Sequence, residues 1–141
     1  MSFLFEDLSG ISAVLGPYNQ ETENSWSWQI KDKNSNLSLI LIIYNIKSDE
    51  NDYKTLVAVQ TKQGYYELHN LTGFIPFEPD EIIFYKSDDQ FISSLIVGRQ
   101  STCSMYSNIR RDLLKADFAE LDPASLMSAM QLSLIEPFLN I

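Results

Sequence analysis

The chain has 141 residues, of which 45% are apolar and 12% aromatic, a composition that suits one folded domain with a sizeable core and excludes an unstructured polypeptide. Its net charge of -9, from 19 acidic and 10 basic residues, repels phosphate backbones and argues against a nucleic-acid partner. A single cysteine, Cys103, permits no internal disulfide and no zinc knuckle, which fits a reducing compartment.

Taken in order, the N-terminal MSFLFEDLSG lacks a positive leader, and Glu6 and Asp7 interrupt its apolar run. This reads against a signal peptide and places the protein in the cytoplasm. Leu4, Leu8, Ile11 and Leu15 recur at spacings that share one helix face, and Gly16-Pro17 stops the helix. Trp26, Trp28 and Ile30 then alternate with Ser27 and Gln29, the pattern of a half-buried strand. Asp32 to Asn36 is a connector of hairpin length, so the next strand should run antiparallel to this one.

That next stretch, Leu37 to Ile46, reads LSLILIIYNI. Leu37, Leu39, Leu41 and Ile43 fall on one face of a strand; Ile40, Ile42, Tyr44 and Ile46 fall on the other. A strand apolar on both faces is expected at the centre of a sheet covered on both sides, where Ile42→Asp would unfold the protein. The stretch is too short for a membrane helix, which needs ~20 apolar residues.

Leu56 to Gln60 reads as a third strand and Tyr65 to Leu71 as a fourth, with Gly64 supplying a left-handed turn between them. Residues 72–89 are ambiguous between strand and helix. Pro79, Asp80 and Glu81 at one end and Lys86 at the other match a helix dipole, which favours a short helix. Phe91 to Val97 and Cys103 to Ile109 alternate as two further strands around a turn at Gly98-Arg99-Gln100. Asp122-Pro123 opens a last helix, with Leu126, Met130 and Leu134 stacked on one face until Pro137. With no repeat or linker, residues 1–141 read as a single α+β domain.

The search for chemistry is short. His69 is the only histidine, so no histidine pair for a metal exists. No GxGxxG, GxxxxGK or GxSxG is present. The carboxylates Asp49, Glu50 and Asp52 lack the spacing and glycine of a calcium loop. No catalytic residue, metal ligand or cofactor site is assigned. The aromatic residues are the better lead, since an aromatic face on a sheet can hold a polypeptide or a second subunit.

The order helix, three or four strands, short helix, two strands, long C-terminal helix, together with small size and acidity, resembles the type III secretion chaperones and the wider group sharing their fold. The best local match is the hairpin Phe91 to Ile109 leading through LLKADFAELDPASL into the Asp122-Pro123 helix. The resemblance implies a homodimer that binds extended polypeptide without enzymatic activity.

The fold expected is therefore α+β: a mainly antiparallel sheet of five to six strands, type III secretion chaperone-like, with N- and C-terminal helices packed on one face. The function expected is a non-enzymatic protein-binding or chaperone-like module acting through an apolar and aromatic sheet surface. Its partner-binding residues would be Trp26, Trp28, Leu39, Leu41 and Ile43. One face of the central strand lacks cover within a single chain, so a homodimer is expected, with another polypeptide as second candidate partner; nucleic acid and membrane are excluded. The rival reading is a small-ligand-binding protein or enzyme with a dispersed site around Tyr65, His69 and Cys103.

Overall fold

The computed structural model of the chain describes residues 5–49, 52–77 and 80–110. Helix α1 (Phe5–Leu15) buries Leu8, Ile11, Val14 and Leu15, the face its spacing predicts. It ends at Gly16, whose φ of 92° is the left-handed closure that glycine adopts without a Cβ penalty. Strands β1 (Gln20–Glu21), β2 (Ser25–Lys31), β3 (Ser38–Asp49), β4 (Asp52–Thr61) and β5 (Tyr65–Leu68) form one sheet in chain order. Strands β6 (Gly73–Phe77), β7 (Glu81–Ser87), β8 (Phe91–Gly98) and β9 (Cys103–Arg110) form a second. Every neighbouring pair in both sheets is antiparallel.

The two sheets share one core. From the first come Trp28, Ile30, Leu39, Leu41, Ile43, Val57, Val59 and Leu68; from the second, Ile82, Phe84, Leu95 and Val97. The buried face of α1 joins the same cluster, packed against β6 and β7. Trp28 ties the parts together. Its Nε1–H donates to the Gly16 carbonyl at 2.9 Å, and the Tyr18 ring meets it edge-on at 5.9 Å. Buried Thr55 donates its hydroxyl to the Asn45 side-chain oxygen at 3.0 Å, so the polar pair at this inward position is satisfied. At the opposite strand ends the Ser101 hydroxyl donates to the Ile30 carbonyl at 2.7 Å, joining the β8–β9 turn to the first sheet.

This corrects the expected fold. A single sheet of five to six strands with helices on one face is not what forms: the described residues make two antiparallel sheets, of five and four strands, around one short helix. The expected C-terminal helix, Pro123 to Glu136, lies outside the described residues, as does Pro79. The short helix expected from Pro79 onward is replaced by β7, which pairs with β8 along its whole length and with β6 from Glu81 to Tyr85. The physical reason is a matter of size. End charges on a helix are worth about 0.3–1 kcal/mol each. Burying Ile82, Ile83, Phe84 and Tyr85 on both faces of a strand is worth about 1.5–3 kcal/mol per side chain. The fourth strand is also shorter than expected. β5 stops at Leu68, and the chain crosses to the second sheet through Asn70, at φ 54°. Gly64 is not left-handed; its value is room, since a Cβ there would stand 3.2 Å from the Tyr66 hydroxyl.

The strand covered on both faces is thus β7 rather than β3. The outward residues Ile83 and Tyr85 form a second buried cluster with Ile75, Ile92 and Ile96. On β3, by contrast, Leu39, Leu41 and Ile43 are buried while Ile40 and Ile46 stand in solvent.

Candidate functional site

Residue alternation places Ile40, Ile42, Tyr44 and Ile46 of β3 on the outer face of the first sheet. The register sets Leu56 and Ala58 of β4 beside Tyr44 and Ile42, and Ser27 and Gln29 of β2 on the other flank. The result is an apolar stripe along the middle of the sheet. Ile40 is 40% exposed, Ile46 45% and Tyr65, on the rim strand β5, 53%. Among the described residues, every large exposed hydrophobic side chain belongs to this sheet or to the turn leading into it. Among the outward positions of β2 to β5 whose side chains are described, Lys31 and Lys54 are the lysines and Glu67 the carboxylate.

The residues expected to bind a partner are on the other side. Trp28, Leu39, Leu41 and Ile43 are buried in the core between the sheets, and Trp26 packs against that core, its Nε1–H reaching Glu21 at 3.3 Å. The four buried side chains stabilise the fold, and reaching them would mean opening it. The apolar face of this strand that meets solvent is the opposite one. Which face turns inward depends on where the second sheet lies, and alternation alone does not say that.

The rival site is also divided. Tyr65 and His69 do come together, because positions 65, 67 and 69 share a face. The Tyr65 hydroxyl donates to Glu67 Oε1 at 2.6 Å, and His69 Nε2 lies 2.6 Å from Glu67 Oε2. The hydrogen bond to the Glu67 carboxylate, with smaller help from desolvation, pushes the Tyr65 phenol up to about 12. The same bond, and that of His69, hold the Glu67 carboxyl below its usual range. Cys103 is elsewhere: it sits on β9 and packs against the core between the sheets. Burial pushes its thiol up to about 11, the opposite of what a nucleophile needs. Glu67, which bridges the pair, escaped the sequence reading although its alternation with Tyr65 and His69 was legible.

A cavity of about 400 Å³ opens where the ends of the two sheets meet. The first sheet contributes Leu37, Ser38, the β4–β5 turn at Thr61, Lys62 and Gln63, and Tyr66; the second contributes Ser101 to Ser104. Of the rival site's residues, only Cys103 lines it. Among the described residues, no cluster of histidine, cysteine and carboxylate side chains could hold a metal ion. No described helix is long and apolar enough to cross a membrane. No protein-family model, curated protein or solved structure matches this chain.

Proposed function

We propose that the chain is a non-enzymatic protein-binding module that pairs with a second copy of itself through the outer face of β1–β5. The observation that carries this reading is the apolar stripe on the outer face of the middle strand, where Ile40 and Ile46 stand in solvent and Ile42 and Tyr44 are half-buried, in an otherwise well-buried domain. Charge favours a second copy as occupant. Two chains of net charge -9 repel one another over most of their surfaces. Among the described side chains of this face two lysines stand against one carboxylate, so here a copy can approach a copy with less of that penalty. The stripe lies centrally and is flanked by Ser27, Gln29 and Ala58. A central apolar stripe lets two such faces meet about a two-fold axis, the commonest symmetry of soluble oligomers.

Sedimentation equilibrium at micromolar concentration tests it. The expected mass is twice the 16.2 kDa of one chain. The double substitution Ile40→Lys, Ile46→Lys should give the monomer mass with little change in melting temperature, because both side chains are already exposed. A wild-type protein that sediments as a monomer, or a double variant that remains a dimer, overturns the proposal.

A further inference from the structure

We propose that the cavity at the strand ends binds a small amphipathic carboxylate, with Lys62 on the acid group and Leu37, Tyr66 and Cys103 along the apolar body. The cavity is of ligand size: small-molecule sites run from about 300 to 1,000 Å³ and combine apolar walls with a few placed polar groups. At about 400 Å³ this one holds a short-chain or single-ring acid.

Its charge is the second observation. The lining contains one cation, Lys62, and no carboxylate, in a chain with 19 acidic residues. Lys62 has no ion-pair partner among the described residues. It stands at the tip of a turn whose own polar groups are already occupied. The Thr61 hydroxyl oxygen accepts from the backbone N–H groups of Gln63 at 3.1 Å and Gly64 at 3.0 Å. The backbone that carries Lys62 is therefore a fixed turn rather than a loose loop. Across the cavity the wall is equally fixed, because Ser101 holds its turn to the Ile30 carbonyl of the first sheet. A carboxylate head meeting Lys62 gains a charge-assisted hydrogen bond, and its apolar tail leaves water against Leu37 and the Tyr66 ring.

The test uses octanoate as probe and 1-octanol, of the same chain length but uncharged, as control, titrated into the full chain by calorimetry. Octanoate is expected to bind saturably and about tenfold more tightly than the alcohol, the ratio that one charge-assisted hydrogen bond supplies. Lys62→Met should abolish the difference, whereas Lys33→Met, in a turn that does not line the cavity, should preserve it. Bound octanoate should also slow alkylation of Cys103 at mildly alkaline pH. Equal affinity for acid and alcohol, no saturable binding, or a preference that survives Lys62→Met overturns the proposal.

Discussion

Two adjacent residues of β3 give the sharpest test of which face is inside. Leu41 is fully buried, with Trp28 and Val59 as its cross-strand neighbours, both buried as well. Leu41→Ala removes three carbons from a site whose walls are held by two paired strands and cannot readily collapse. Such substitutions cost about 2.7–5.0 kcal/mol, and full burial puts this one at about 3–4 kcal/mol. Ile42 points outward beside Ser27 and Ala58 and is only half-buried. Ile42→Ala should cost about 1 kcal/mol, the typical value for a partly buried site. The measurement is urea unfolding followed by tryptophan fluorescence, in the Ile40→Lys, Ile46→Lys background so that self-association does not add to either value. At this chain length the gap of about 2 kcal/mol corresponds to about 4–8 °C in melting temperature. Ile42→Asp, expected from the sequence alone to unfold the protein, should in this background fold cooperatively. Equal costs at the two positions, or a larger cost at Ile42, would refute the assignment of inner and outer faces.

Two further outcomes follow from single contacts. Tyr65 should titrate near pH 12 by ultraviolet difference absorbance, and Glu67→Gln should bring it back toward 10.0; no response to the substitution would contradict the hydrogen bond. Because the folded state holds this proton more tightly than the unfolded chain, the stabilisation is present below pH 10.0 and is lost as pH rises through about 12. Glu67 acts in the opposite sense: its lowered value stabilises the fold above its unfolded range and is lost on acidification. Ser101→Ala removes the buried donor to the Ile30 carbonyl and should cost about 1–3 kcal/mol in denaturant unfolding; a change within about 0.5 kcal/mol would mean that the link between the sheets does not depend on it.

Local pattern was enough for much of the chain. Leu8, Ile11 and Leu15 announced α1, and Gly16-Pro17 its end, because a helix repeats its face at the same spacing wherever it sits. The β2–β3 hairpin and the strands from Phe91 onward were equally legible from period-two alternation and turn chemistry. The stretch from 72 to 89 was not. Its helix-like end charges are local, whereas the pairing of β7 with β6 and β8 joins segments that no short window contains.

The candidate surfaces divide in the same way. From the sequence alone, β3 had to carry apolar residues on both faces, the chain had to be acidic, and Tyr65, Glu67 and His69 had to share a side of their strand. Only the tertiary structure decided that Leu41 faces the second sheet while Ile40 and Ile46 face water. Only it set the turn of Lys62 against the turn of Ser101 to enclose a cavity. Alternation along a strand says which side chains share a face. Which face is inside depends on where a second sheet packs, and that depends on contacts between residues dozens of positions apart.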